Sequence, residues 1–127
     1  MEAKHESLLD ANAALRYLLE DNQEQAEAAA EAIAGGAEVT VEVLAECVYV
    51  LAGVYHVPRS RIAESLGILL DEVTCRRKNV AAAALGLYGG SSFDFVDCVL
   101  AAERQELGRD VVTFDKKLIG LLGRVER

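Results

Sequence analysis

Apolar and polar positions along the chain follow two alternating rhythms, a short extended one and a longer helical one. Ser7-Leu8-Leu9 reads as a short strand, after which Leu15, Leu18 and Leu19 recur at helical spacing through about Asp21. Gln23 to Ala34 reads as a second helix, stopped by Gly35-Gly36 before a strand at Ala37 to Thr40. Thr40 can cap a long helix in which Leu44, Cys47, Val48, Leu51 and Tyr55 repeat at three and four. Pro58 suits the first turn of the next helix, roughly Arg59 to Asp71, where its missing N–H costs nothing. Val73 to Arg76 predicts a short strand, followed by a helix from about Lys78 to Leu87 and a Gly89-Gly90 break. Ser91-Ser92 is predicted to cap a helix reaching about Leu107, with Asp94 three residues after Ser91 in capping-box-like spacing. Gly108 ends that helix, Val111-Val112-Thr113 predicts a strand, and Lys116 to Leu122 a last helix.

Strands alternating with helices imply a parallel sheet covered on both faces. The expected class is α/β, a three-layer α/β/α sandwich with a short, mostly parallel central sheet. Ligands bind such sheets beyond the carboxyl ends of the strands, so polar residues there are the first candidates for function.

Composition narrows this picture. A chain of 127 residues has the length of one domain, expected to span residues 1–127, and 52% apolar residues with a single Pro argue against disorder. The longest stretch without a charge, Asn79 to Phe93, is interrupted by Gly and Ser, and the N-terminus lacks the apolar core of a signal peptide. The expectation is a cytoplasmic protein with no membrane association. Cys47, Cys75 and Cys98 are odd in number and far apart, with only His5 and His56 to complement them, so they read as reduced core thiols rather than a zinc site. The 13 Lys and Arg against 21 Asp and Glu give a net charge of −8, which disfavours holding nucleic acid by broad charge attraction alone.

Part of that acidity falls where chemistry is expected. Asp10 follows Leu8-Leu9 and Asp115 follows Val111-Val112-Thr113-Phe114, both at carboxyl ends of predicted strands. Glu46 lies in the second turn after the Thr40 cap and Asp97 in the second turn after the Ser91-Ser92 cap, each among apolar neighbours. Four carboxylates from four distant segments can thus converge near helix N-termini, where anions are also favoured. Like charges that close oppose folding unless a cation joins them. Hard oxygen donors without His or Cys select Mg²⁺ or Mn²⁺, ions suited to displacement at phosphorus, so the pattern points to a phosphodiesterase. Each residue also has a plainer role open to it. Asp10 and Asp115 can cap the helices that follow them, and Glu46 and Asp97 can be solvated helix-face charges. Asp94 can be an auxiliary metal ligand or a capping-box residue, while Asn12 and Thr113 can orient the neighbouring carboxylates or satisfy local backbone.

Leu8-Leu9-Asp10-Ala11-Asn12 with Leu15-Arg16-Tyr17-Leu18, then Leu44-Ala45-Glu46, Phe95-Val96-Asp97-Cys98-Val99-Leu100-Ala101-Ala102 and Val111-Val112-Thr113-Phe114-Asp115, resemble in order and spacing the PIN-domain family. The likeness is closest to VapC-type toxins of toxin–antitoxin pairs. The resemblance implies that Asp10, Glu46, Asp97 and Asp115 bind Mg²⁺ or Mn²⁺ and cleave RNA. It also implies a homodimer inhibited by a small antitoxin protein. Two departures stand out: Ala11 occupies a position where a hydroxyl residue is common, and Glu2, Lys4, His5 and Glu6 precede the first strand where the family is more apolar.

Arg16, Arg76, Arg77, Lys78, Lys116 and Lys117 lie near the ends of elements and offer a path for RNA, with Arg16, Lys116 and Lys117 nearest the acidic residues; as single positions they equally suit solvated surface. Absence of Trp and only 6% aromatic content argue against base stacking along a long single strand, and favour short structured RNA. Two other classes compete with the ribonuclease. One is a noncatalytic PIN-like interaction module using Leu15, Leu18, Leu19 and the region from Leu51 to Tyr55 to assemble with a partner. The other is a phospho-accepting receiver domain, disfavoured because Asp10 lacks an acidic neighbour and Lys116 directly follows Asp115.

Overall fold

In a computed structural model, residues 7–125 are described; Glu2, Lys4, His5 and Glu6, which precede the first predicted strand, lie outside them. Among the described residues seven helices follow one another: α1 (Ala11–Leu19), α2 (Gln23–Ala34), α3 (Val41–Gly53), α4 (Arg59–Glu72), α5 (Lys78–Gly89), α6 (Phe95–Leu107) and α7 (Lys116–Arg124). Their starts follow from local chemistry. The Asp10 carboxylate accepts from the Ala13 N–H at 2.8 Å, Asn22 from Gln25 at 3.0 Å, and the Thr40 hydroxyl from Val43 at 3.2 Å. The Asp10 cap makes α1 begin at Ala11, earlier than its Leu periodicity alone suggests. Pro58 sits in the cap position, just before the first turn.

Two sequence expectations fail at the start of α6. Its first residue is Phe95, its cap position is Asp94, and the Asp94 side chain makes no capping hydrogen bond. Ser91 instead closes the end of α5, its hydroxyl donating to the Leu87 carbonyl at 2.6 Å and accepting from the Phe93 N–H at 3.3 Å. Asp97 therefore lies in the first turn of α6 rather than the second.

The sheet is much smaller than expected. Among the described residues it consists of two isolated parallel bridges, Leu8 with Glu38 and Glu38 with Thr74. Bonds from Leu9 N to Glu38 O (2.9 Å), Glu38 N to Ser7 O (2.8 Å) and Val39 N to Thr74 O (2.9 Å) hold these three short segments side by side. The bridges are parallel as predicted, but no regular strand forms among the described residues, and the central layer of the sandwich is a sliver between helices. Val111-Val112-Thr113 joins no ladder. Val111 packs on the cluster around Leu118, Leu121 and Leu122, whereas Val112 is 87% exposed. A β-prone segment pairs only where a partner edge meets it, and here one face packs on helices while the other is open.

Most of the core lies under the sliver and between the helices. Leu44, Cys47, Val48 and Leu51 form the buried stripe of α3, Ile62, Leu66, Leu69 and Leu70 that of α4, and Val80, Ala81, Ala84, Leu85 and Tyr88 that of α5. Each fully buried Leu or Ile contributes roughly 1.5–3 kcal/mol. Helices α4 and α5 approach so closely that a Cβ on Gly89 would lie 2.9 Å from the Ala63 Cβ, which accounts for glycine there. Leu15 is buried, Leu18 and Leu19 are half-buried against the same core, and Val54 and Tyr55 are exposed. Cys47 and Cys98 are buried free thiols, Cys75 is half-buried, and no helix is long and apolar enough to cross a membrane among the described residues.

Candidate functional site

Arg59 sets the position of the acidic end of α6. A cation in the first turn of a helix opposes the helix dipole, so its place there calls for a tertiary reason. Its guanidinium lies 3.7 Å from the centroid of the Tyr88 ring, its Nε donates to the Tyr88 carbonyl at 3.0 Å, and an Nη donates to the Phe93 carbonyl. Tyr88 in turn meets the Phe95 ring edge-on at 6.1 Å. These contacts fix the turn from α5 to α6 and hence Asp94 and Asp97. The sequence reading passed over Arg59; its unfavourable place at a helix start was the available signal.

Each predicted acid then has a definite setting. Asp10 is exposed at the cap of α1. Asp115 is exposed at the cap of α7, its Oδ1 accepting from Lys117 N at 2.9 Å and Leu118 N at 3.4 Å. Thr113 Oγ1 accepts from the Asp115 N–H at 3.1 Å, so it steadies the backbone that presents Asp115. Glu46 is exposed although its sequence neighbours are apolar. The α3 stripe of Leu44, Cys47, Val48 and Leu51 faces inward, and 100° per residue leaves Glu46 and Tyr49 outside it. Asp97 is half-buried, and Asp94 is exposed.

Charges connect these positions. Burial, and then the charges of Glu46 and Asp10, push the Cys47 thiol up to about 12, while Cys47 Sγ lies 4.0 Å from the Ala11 carbonyl. The α1 cap and the Glu46 turn of α3 are therefore neighbours. Asp97 is held above the usual carboxylate range, first by burial and then by the charges of Asp94 and Asp115. Burial raises the Tyr49 phenol, and the charges of Asp94 and Asp97 add to it. Asp94 and Asp115 thus both act on Asp97, and Tyr49, one turn beyond Glu46 on α3, feels the charges of Asp94 and Asp97. Among the described residues no three His, Cys, Asp or Glu side chains are gathered closely enough to hold a metal ion, so the four predicted acids form no closed cage.

The cations named from sequence are mostly engaged elsewhere. Arg16 pairs with Asp21 at 2.8 Å and donates to the Tyr55 hydroxyl at 3.4 Å. Arg76 pairs with Glu38 at 3.1 Å and Lys78 with Asp71 at 3.5 Å. Lys116 and Lys117 are exposed beside Asp115, and no ion pair joins them to it. Asn12 is exposed and lines a cavity of about 350 Å³ with Asp10, Arg16 and Gln25.

Sequence reasoning also missed Glu103, the buried charge among the described residues, at 7% exposure. It pairs with Arg77 and, at 3.0 Å, with Arg109. Burial alone would raise its pKa, but hydrogen bonds and charge from the two arginines hold it below the ordinary glutamate range. Its position on the Phe95–Cys98–Ala102 face of α6 was the signal.

The donors fit a hard divalent cation. None of Asp10, Glu46, Asp94, Asp97 and Asp115 has a Lys, Arg or His ion-pair partner among the described residues, and Mg²⁺ needs only one or two protein carboxylates, with water completing its shell.

The family model for the PIN domain matches residues 7–121, and the chain belongs to that family. PIN domains are generally nuclease domains and typically metal-dependent, which gives this chain a nuclease role. Comparison with curated proteins and with solved structures gave no match.

Proposed function

We propose that the protein, as a single PIN-like domain, is a divalent-metal-dependent endoribonuclease of the VapC type, the toxin of a toxin–antitoxin pair. The observation that carries this reading is the acidic group at the starts of α6 and α7, where burial, and then the charges of Asp94 and Asp115, raise half-buried Asp97 and no ion pair among the described residues compensates them. Asp10, Glu46, Asp97 and Asp115 are the metal-binding and catalytic carboxylates, and Asp94, free of any capping bond, is an auxiliary donor. Bound Mg²⁺ or Mn²⁺ supplies charge neutralisation and a lowered pKa for an attacking water. The chain's own groups do the rest. Thr113 and the first N–H groups of α7 hold Asp115, Arg59 holds the turn before α6, and Lys116 and Lys117 offer contacts to RNA phosphates. A cytoplasmic homodimer and a basic antitoxin belong to the same reading, the net charge of −8 favouring a basic partner.

A noncatalytic PIN-like interaction module is the second reading, favoured by the absence of a closed three-carboxylate group among the described residues. Purified protein incubated with structured RNA and Mg²⁺ or Mn²⁺, with EDTA and Asp97→Asn as controls, separates the two. Cleavage abolished by both controls is expected. Cleavage that survives both would overturn the carboxylate mechanism, and none under either metal would favour the module.

A further inference from the structure

Positive charge in this acidic chain gathers away from the carboxylate group, where α5 begins. Arg76, Arg77, Lys78 and Asn79 are consecutive and exposed, and with Val80 and Leu107 they line a cavity of about 260 Å³ that no carboxylate lines. Their acidic partners stand outside its wall: Glu38 is 3.1 Å from Arg76, Asp71 is 3.5 Å from Lys78, and buried Glu103 pairs with Arg77. Arg77 also belongs to a second cavity, of about 370 Å³, which Glu103, Arg109 and Asp110 help to line. There Arg109 shares Glu103 with Arg77 at 3.0 Å, while Asp110 is offset by Arg104 at 3.4 Å. One carboxylate between two guanidinium groups, each with five N–H donors, leaves donors for a further acceptor. The arrangement is also unfavourable by itself. Arg77 occupies the cap position of α5 and Lys78 is its first residue, and the first turn holds no acid, so both cations oppose the helix dipole.

We infer that the cavity at Arg76, Arg77 and Lys78 is a second phosphate site, which holds the RNA backbone several nucleotides away from the phosphate at the carboxylate group. This rests on the ribonuclease reading and adds to it a contact region outside the acidic group. Two lengths set the separation. Glu103, which pairs with Arg77, lies six residues beyond Asp97 on α6, about 9 Å along the helix axis. From Arg109 the chain reaches Asp115 in six residues, a span of at most about 21 Å. A single phosphate cannot touch both ends, whereas a strand of several nucleotides can. The polar residues of the wall are all exposed, as contact with a polymer backbone requires. A local cationic wall further suits a chain of net charge −8, which gains little from long-range attraction of nucleic acid.

The test uses the full chain carrying Asp97→Asn, so that bound RNA is not consumed, in Mg²⁺. The probes are a fluorescent RNA stem-loop of about 20 nucleotides, long enough to reach both ends, and a dinucleotide, which is not. The stem-loop is expected to bind at least about tenfold more tightly than the dinucleotide. Arg76→Gln combined with Lys78→Gln is expected to weaken the stem-loop about tenfold, to flatten the slope of log affinity against log salt by about one unit, and to leave the dinucleotide within twofold. Arg76→Lys combined with Lys78→Arg keeps both charges and the affinity. Asn79→Asp puts an acid into the first turn of α5, so it is expected to raise the melting temperature slightly while weakening the stem-loop severalfold, a result that loss of folding cannot imitate. Stem-loop affinity within twofold of the parent in both Asn79→Asp and the paired Gln substitutions overturns the inference. So does an equal loss for stem-loop and dinucleotide, since the charges then act by general attraction. Pyrophosphate alone is the probe for a free anion: binding that the paired Gln substitutions abolish while the stem-loop is unaffected assigns the cavity to such an anion and overturns the inference as well. These results leave the ribonuclease reading intact if the parent sequence cleaves RNA with Mg²⁺; failure to bind or cleave any RNA overturns both.

Discussion

Helix α6 carries two acids six residues apart with opposite fates. Glu103, the more buried, is held below its ordinary range by Arg77 and Arg109, while half-buried Asp97, faced by Asp94 and Asp115, is held above it. Burial alone penalises both charges; the difference is the sign of the neighbours. At Glu103 the fold supplies the compensating cations itself. At Asp97 it supplies more negative charge, which leaves room for a cation from solution. A satisfied buried charge therefore marks structure, and an unsatisfied, partly open one marks the place to look for chemistry.

The sharpest way to break this comparison is substitution of the two acids. Asp97→Asn is expected to lower metal-dependent RNA cleavage by roughly 100-fold or more, since loss even of a residue that merely supports a metal ligand costs 10–100-fold. Glu103→Gln is expected to leave the rate nearly unchanged below its melting temperature. Comparable losses in both would erase the distinction. Stability reverses the order. Glu103→Gln strands two arginines and is expected to cost about 1–3 kcal/mol, less than a fully buried pair because both arginines are partly exposed. Thermal melting should fall by several degrees.

Arg59→Ala tests whether the turn holding Asp94 and Asp97 is anchored from α4. Loss of the Tyr88 stacking and the two carbonyl bonds is expected to cost about 2 kcal/mol and to lower cleavage as well, unlike Glu103→Gln. Destabilisation without a change in rate at equal folded fraction would disconnect the anchor from the site.

Acidification sharpens the contrast further. Because Glu103 is ionised more readily folded than unfolded, its contribution is complete above the ordinary glutamate range and is lost as pH falls through its lowered pKa. Denaturant unfolding of the wild type should lose stability in that acid window more steeply than Glu103→Gln. Asp97 has the opposite sign: its folded form takes up a proton first, so ionisation above its ordinary range opposes folding. The smallest expected effect is a slight stabilisation by Asp97→Asn at neutral pH in EDTA, which disappears in acid.

What the sequence could reveal tracks the range of the interactions involved. Thr40 and Asp10 as caps, the Leu44–Leu51 stripe and the order of helices depend on neighbours within a turn or two, and the periodicity carries them. The central sheet depends on which edges meet, and alternation in Val111-Val112-Thr113 holds no record that its partner edge is missing. The start of α6 was misplaced for a similar reason, because Ser91 is recruited by the Leu87 carbonyl at the end of α5. Among the acids, position along the chain singles out Asp10, Glu46, Asp97 and Asp115 as candidates. Apolar flanking residues do not tell Glu46, whose helical phase turns it outward, from half-buried Asp97, and Glu103, whose phase turns it in, was overlooked.

Calorimetric titration of Mn²⁺ into the wild type, Asp97→Asn and Glu103→Gln tests the central claim most directly. Binding by the wild type and Glu103→Gln with comparable affinity, weakened at least tenfold by Asp97→Asn, is the expected result. Absence of binding to the wild type, or binding that Asp97→Asn leaves unchanged, would contradict the assignment of the Asp97 end of α6 as the metal-holding region.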